Sequence, residues 1–561
     1  MRVDTRAYAR NALASDLLAA CIVSVLLIPQ ALAYALLAGL PPQAGLFASL
    51  LPLVAYAAFG SSRLMGVGPV AVLALMISQS LADVPAGTSP HAAALVLAAE
   101  VGLMLALAAW WRLDALAALL SVPVLQGFET GAALSIALSQ LPVLLGATAH
   151  GSSLPQLLSS WSQAALPWHG PTALYGVAAL LALWLLRGPL ARRLAGRIGE
   201  RPARLVARLA PLAVLVAAIV AASLVDAGAR GVAQVGPLPG LAAAFPGLPA
   251  DLAVWRAMLP GAALIALVTF VSSLVVAESL ARRDGSAVDA RRELAGLATA
   301  NLVASVSGGM PVAGSFTRSV VNSDAGAQTR LAGVFTALLI ALVVLQLSAP
   351  LAQLPNAVLA ATIVVAVLPM FDARPFRDAW RYSRSEGALM AGVAAATVSM
   401  GVAWALAVGV AGSIALLLQR TARPHVALVG RVPGTEHYRN VDRHAVEVTP
   451  GVVALRIDES LLFTNARQLA DVVQQHLQQH PEARRVVLQM SPVNRIDFSG
   501  FASLRALQEL LQSRDIRLDL SEVKGPVLDA LRQGGWSAWF LGRVFLSQHQ
   551  AMLDERGTPA G

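Results

Sequence analysis

A chain of 561 residues that is 57% hydrophobic and only 13% charged is not soluble throughout, because soluble domains carry roughly 25% charged residues. Its formal charge of +9 would suit nucleic acid, but the arginines are spread among loops rather than set with aromatics on one face, which excludes that partner. A single cysteine, Cys21, excludes a disulfide framework and a thiolate metal site.

Met1 to Asp16 is polar and charged, and no small-residue cleavage site follows the apolar run Leu17 to Leu37. That run is expected as a retained first helix rather than a signal peptide. Pro29 removes a hydrogen bond inside it, and Gln30 and Tyr34 lie four residues apart on one face. Two readings stay open: a proline kink with Gln30 bonded to a neighbouring helix, or one wall of a substrate site.

Next comes Gly66-Val67-Gly68-Pro69-Val70-Ala71-Val72, soon after a basic loop at Arg63. Proline after glycine marks a helix start, so extended chain must enter the membrane before this short helix begins. The runs Leu95 to Trp110, Leu205 to Val225, Pro260 to Ala277 and Leu331 to Leu347 are near the ~17–25 residues that cross a bilayer. Gly68 to Leu81, Ser315 to Val321 and Ala357 to Leu368 are shorter, and Ala388 to Leu418 has room for two helices around Gly401. The expected total is about fourteen membrane segments.

Arginines gather in alternate loops: Arg2, Arg6 and Arg10; Arg63; Arg187 to Arg208; Arg282 to Arg292; Arg374 to Arg384. The loops Asp83 to Pro90, Gly146 to Gly170 and Ser348 to Pro355 have no Lys or Arg. This pattern predicts a multi-pass inner (plasma) membrane protein with both termini cytoplasmic and an even number of crossings.

Ser307-Gly308-Gly309-Met310-Pro311-Val312-Ala313-Gly314-Ser315-Phe316-Thr317-Arg318-Ser319 occupies a place in the second half comparable to that of Gly66 to Val72 in the first. Paired Gly/Pro-interrupted segments point to a midplane site in an inverted-repeat transporter. Two half-helix N-termini aimed at one point offer free N–H groups and positive dipole ends, a setting for an anion. A guanidinium at mid-bilayer costs at least ~2.5–3.5 kcal/mol. Arg318 is therefore expected either to pair with a buried carboxylate such as Glu278 or to add attraction for the anion. Glu100, Glu129 and Glu278 also sit in or near apolar runs. Glu278 reads either as a boundary residue or as a coupling group whose desolvation lets it carry a proton.

Residues 1–420 are thus expected to form the membrane domain, and 421–561 a linker and a soluble α/β domain with its core at about 440–550. Val452 to Ile457, Arg485 to Met490 and Ile516 to Leu520 read as strands. Asn465 to His480, Ser499 to Ser513 and Pro526 to Gly534 read as helices.

Several of these segments carry a resemblance. Pro42-Gln43-Ala44-Gly45-Leu46-Phe47-Ala48-Ser49, then Tyr56 and Gly60-Ser61-Ser62-Arg63, resemble the signature of the SulP (sulfate permease) family. Gly68-Pro69-Val70-Ala71-Val72 is similar to that family's third helix, Gly314 to Ser319 to its tenth, and Asp289 with Arg292-Glu293-Leu294 to the entry of its ninth. The resemblance implies an all-α membrane domain of fourteen helices in a seven-plus-seven inverted repeat, divided into core and gate. It implies a substrate between the third and tenth helices, lined by Gln30 and Tyr34, by backbone at Val70 and Ala71, and by Thr317 and Arg318. Sulfate, bicarbonate, chloride and dicarboxylates are substrates of the family. Many bacterial members carry an acidic residue in the eighth helix where this chain has Ser272, which argues against sodium. Glu278 falls where proton-coupled sulfate transporters also have a carboxylate, which favours proton symport.

The C-terminal region resembles a STAS domain through Leu462-Phe463-Thr464-Asn465-Ala466 and Arg495-Ile496-Asp497-Phe498-Ser499-Gly500. Relatives phosphorylate the residue after the Asp; Phe498 has no hydroxyl, and Ser499 is expected to cap its helix. The overall expectation is secondary active transport of a small anion, sulfate first, proton-coupled and elevator-like, by a homodimer in the lipid bilayer that needs no cofactor and no metal. The alternatives are a bicarbonate or dicarboxylate carrier, an uncoupled exchanger or channel, and a membrane sensor whose STAS domain binds a soluble partner. Nothing resembles a catalytic constellation, so an enzyme is not expected.

Overall fold

The computed structural model describes residues 12–112, 121–147, 154–163, 168–238 and 245–554. Arg2, Arg6 and Arg10 of the expected cytoplasmic N-terminus, and part of the Lys/Arg-free loop before Gly170, lie outside them. The chain forms two compact units, residues 1–413 and 414–561.

The first half of the membrane unit runs α1 (Leu13–Leu37), α2 (Pro42–Phe47), α3 (Leu51–Phe59), β1 (Gly66–Gly68), α4 (Ala71–Ser80), α5 (Pro90–Trp110), α6 (Val122–Leu145), α7 (Leu154–Gln163), α8 (Gly170–Arg187), α9 (Pro189–Ile198) and α10 (Glu200–Leu224). The second half has α11 (Leu252–Asp284), α12 (Ala290–Val306), β2 (Ala313–Ser315), α13 (Phe316–Asp324), α14 (Leu331–Gln346), α15 (Ser348–Ala352), α16 (Asn356–Val367), α17 (Arg374–Tyr382), α18 (Arg384–Met400) and α19 (Val402–Ala422). Among the described residues, nine helical stretches are long and apolar enough to cross a membrane. Ala71–Asp83 and Leu209–Leu224 are shorter apolar helices. The hairpin expected around Gly401 is α18 and α19, with Gly401 at φ 91° between them.

Small residues set the packing. A Cβ on Gly45 of α2 would lie 1.8 Å from the Ala31 carbonyl oxygen of α1, so only glycine permits that approach. On one side α5 packs against α11 and α12; on the other, α6 packs against α16 and α18. Leu73 of α4, Leu95 and Leu97 of α5 and Ile136 of α6 are fully buried.

The second unit holds a six-stranded sheet ordered β4-β3-β5-β6-β7-β8, with β3 (Val426–Arg431), β4 (Tyr438–Asn440), β5 (Val452–Ile457), β6 (Arg485–Gln489), β7 (Arg517–Ser521) and β8 (Val544–Phe545). β5 to β8 are parallel, and β3 is antiparallel to both its neighbours. Helices α20 (Gln468–Gln479), α21 (Phe498–Gln512), α22 (Gly525–Gln533) and α23 (Gln548–Leu553) complete it. Leu455, Val486, Leu488, Leu504 and Leu518 form the centre of its core. Arg485 and Asp519 form an ion pair at 2.5 Å with side chains 8% and 0% exposed. One expectation is corrected here: Asp497, not Ser499, caps α21, its carboxylate accepting from the Gly500 N–H at 2.8 Å. An Asp side chain in extended backbone places its oxygen where the first-turn N–H groups point.

Candidate anion site

The two interrupted segments meet. β1 and β2 pair antiparallel, with Gly66 opposite Ser315, Val67 opposite Gly314 and Gly68 opposite Ala313. A ribbon of three pairs spans about 7 Å, and because its strands are antiparallel, α4 and α13 leave it from opposite ends, N-terminus toward N-terminus. Val70 is the extended residue before α4 and gives it no side-chain cap, so the first N–H groups of that helix are unclaimed by a cap. At α13 the Ser315 hydroxyl accepts from the Arg318 N–H at 3.5 Å.

Extended backbone in the middle of a membrane domain needs partners for its polar groups, and side chains supply them. Asn301 of α12 acts as a substitute strand: its amide donates to the Val312 carbonyl at 3.0 Å and accepts from the Val312 N–H at 2.9 Å. Ser273 of α11 accepts from the Gly314 N–H at 2.9 Å. Ser319 accepts from the Gly66 N–H at 2.9 Å, and Asn322 donates to the Leu64 carbonyl at 3.0 Å. Sequence reasoning passed over Ser319, Asn301 and Asn322 in this role. The available signal was amide and hydroxyl side chains within otherwise apolar helices.

Arg318 is 1% exposed. One terminal nitrogen donates to the Pro69 carbonyl at 2.6 Å, while Nε and the other terminal nitrogen have no partner. A Cβ on Gly68 would lie 3.4 Å from that second nitrogen, so glycine leaves room for the guanidinium over β1. The Tyr34 phenol is within Coulombic reach of Arg318; it is buried on α1, and Gln30 is half-buried one turn earlier. Ala71 is buried, Val70 half-buried and Thr317 exposed. The structure therefore brings together the α4 and α13 termini, Arg318 and Tyr34.

Glu278 stands apart. Its side chain is 51% exposed near the end of α11 and pairs with Arg282 at 3.6 Å. The expectation of a desolvated coupling carboxylate there, or of a Glu278 partner for Arg318, is corrected: Ala277, Leu280 and Ala281 around it are buried, but Glu278 itself lies on the exposed face of α11, paired with Arg282. Glu100, midway along α5, is 4% exposed and has one oxygen without a hydrogen bond. Glu293 of α12 is fully buried. It accepts from Tyr56 Oη at 2.8 Å, from Ser61 Oγ at 2.5 Å and from the Ser61 N–H at 3.2 Å. It ties α12 to the loop that feeds β1.

A cavity of about 690 Å³ opens in the membrane unit, with no ribbon residue in its lining. It lies between the later turns of α1 and α4, at Leu37 and Ser78, and α6, α7 and α16, at Gln140, Ser160 and Asn356. Its polar lining is uncharged. A narrower cleft reaches Arg318 and is lined also by Arg63, Asn322 and Arg330, with no carboxylate among its lining residues. Among the described residues no cluster of His, Cys, Asp or Glu has the grouping of a metal site.

Residues 13–393 match the sulfate permease family and residues 443–551 match the STAS domain. The chain belongs to the sulfate permease family. Its members are transporters, not enzymes, so this is a multi-pass membrane anion transporter with a C-terminal STAS domain. The chain is 32% identical over 550 residues to the Arabidopsis thaliana "Probable sulfate transporter 4.2", covering 94% of this chain and 80% of that protein. It is 34% identical over 541 residues to the Mycobacterium tuberculosis "Probable sulfate transporter MT1781", covering 94% and 93%. The murine Solute Carrier 26 family member A9 anion transporter, solved in an inward-facing state, superposes with a TM-score of 0.86 at 21% identity, covering 100% and 93%. The transmembrane domain of the cyanobacterial bicarbonate transporter BicA gives 0.59 at 19%, covering 71% and 97%. These two structures share the fold. In that setting Tyr56, Ser61, Ser62 and Glu293 explain themselves physically: two sulfate permease motifs, far apart in sequence, hydrogen-bond to each other and fix the loop into β1.

Proposed function

We propose that this chain is a secondary active transporter of a small oxyanion, sulfate foremost, held between the N-termini of α4 and α13 near Arg318. The observation that supports this reading is the antiparallel β1–β2 ribbon with its buried, incompletely bonded guanidinium. Two dipole ends and a cation in one low-dielectric place favour an anion. The names of the curated relatives put sulfate ahead of bicarbonate and dicarboxylates.

The part carrying α4 and α13 moves in an elevator-like shift against the part built on α6 and α16, within a homodimer of the inner membrane with cytoplasmic termini. The 690 Å³ cavity between those parts is the access route in one state. Residues 1–420 carry transport and 421–561 regulate it. Coupling is to a proton, and Glu100 replaces Glu278 as its carrier. It is buried within α5 beside α11 and α12, and with one oxygen unbonded it exchanges a proton without breaking an ion pair.

Labelled sulfate uptake into proteoliposomes, with and without an inward proton gradient, tests both levels. Acceleration by the gradient is expected, lost in Glu100→Gln and kept in Glu278→Gln. Uptake indifferent to the gradient leaves an uncoupled exchanger or channel. Absence of sulfate uptake alongside bicarbonate or dicarboxylate uptake moves the substrate assignment.

A further inference from the structure

A second cavity of the membrane unit has the opposite character. It encloses about 720 Å³ between α8 and α10. Its walls are Leu174, Ala178 and Ala182 on one helix and Ala217, Ala221 and Leu224 on the other, each set repeating at helical spacing. Small residues on facing membrane helices ordinarily let the helices close on each other. Here α8 and α10 do pack on each other, yet Ala178, Ala217 and Ala221 remain exposed and line an apolar groove along both helices.

One charged side chain lines the groove, Arg230. It is exposed, and among the described residues it has no ion pair; Asp226, four residues earlier, does not reach it. Beside it, a Cβ on Gly231 would lie 3.4 Å from His169 Nε2. The other nitrogen of that ring is engaged with Thr172 Oγ1 at 2.7 Å, which leaves Nε2 beside Gly231, next to Arg230 in the chain. Trp168, next in sequence, is 68% exposed just before α8. An exposed tryptophan at a helix end marks the headgroup level. Groove and mouth together thus run from hydrocarbon to interface, apolar along their length and cationic at one end.

We propose that this groove holds an acyl chain of an anionic glycerophospholipid whose phosphate is met by Arg230 and His169. The occupant covers the alanines of α8 and α10 that their packing leaves exposed. A neutral hydrophobe satisfies the walls but leaves Arg230 unpaired; a free phosphate satisfies Arg230 but leaves the walls empty. Only an amphiphile of net negative charge satisfies both.

Native mass spectrometry of the full-length protein, exchanged into detergent with equal amounts of palmitoyl-oleoyl phosphatidylglycerol and phosphatidylcholine, tests this. The wild type is expected to retain the glycerol lipid about fivefold over the choline lipid, the scale of one basic contact to an anionic headgroup. Arg230→Gln is expected to bring the two lipids level, and Ala218→Trp, which fills the groove, to lose both. Equal retention by the wild type, or undiminished selectivity in Arg230→Gln, overturns the proposal. Should the tryptophan variant not fold, the glutamine variant decides alone. Lipid retention is read without any transport assay, so it stands or falls apart from the anion assignment.

Discussion

Arg318 was legible because a charge amid apolar residues has few cheap explanations, and its burial with two unbonded nitrogens follows from the same scarcity of partners. Its role is tested against an arginine of ordinary surroundings, Arg377, which pairs with Asp378 on the exposed face of α17. Arg318→Ala is expected to weaken sulfate binding by at least about tenfold, ~1.4 kcal/mol. Arg377→Ala is expected to stay within about twofold. Equal losses, measured by ligand-induced thermal shift or uptake KM, count against the site. Glu278 carried two readings, and its exposed pair with Arg282 suits the boundary residue rather than the coupling group. In sequence, an acid at the end of an apolar run looks the same whether the helix stops inside the bilayer or runs a turn beyond it. Only the exposure of Glu278 and its pairing with Arg282 four residues on tell the two apart. Glu293 went the other way: quoted for its motif alone, it proves to be a carboxylate whose partners come from Tyr56 and Ser61, more than two hundred residues away.

Among elements, the short ribbon carries the site, and its partners were the hidden part. Glycine and proline announced a break in the helices at Gly68 and Pro311, but not which side chains would satisfy the freed backbone, since that depends on which helix lies alongside. Asn301 gives Val312 both a donor and an acceptor. Asn301→Leu removes the pair and leaves two buried backbone groups unpaired, at about 1–3 kcal/mol each. A thermal transition lowered by several degrees, with sulfate binding lost in step, is the expected outcome; an unchanged transition with intact binding shows the ribbon to be held by something else. In the second unit the buried parallel strands β5, β6 and β7 were readable as short apolar runs. The edge strands β4 and β8 were not, because they are short and their pattern differs little from a loop, and β3 beside β4, itself only partly buried, was passed over with them.

At the scale of the molecule, two units with separate cores predict two unfolding transitions rather than one, and acid is expected to separate them. In the STAS unit burial pushes Asp458 up, but hydrogen bonds from Arg456 and His425 outweigh it and hold the carboxyl below its usual range. Burial likewise opposes, and Gln489 and the Gln548 N–H overcome, at Glu522; Arg517 and Arg543 do the same at Asp554. A carboxylate with a depressed native pKa stabilises the fold fully above its unfolded value, and that contribution disappears as pH falls through the native one. The STAS transition is therefore expected to hold its temperature from neutrality to about pH 5 and to move down below about pH 4. Calorimetry of the full chain in nanodiscs across that range, with Asp458→Asn alongside, reads the effect. The variant starts lower at neutral pH, because the Arg456 pair is already lost, and declines less steeply in acid. A STAS transition that stays flat to pH 3, or one that falls mainly between pH 7 and 5 where only histidines titrate, would mean that these three carboxylates do not hold the domain together.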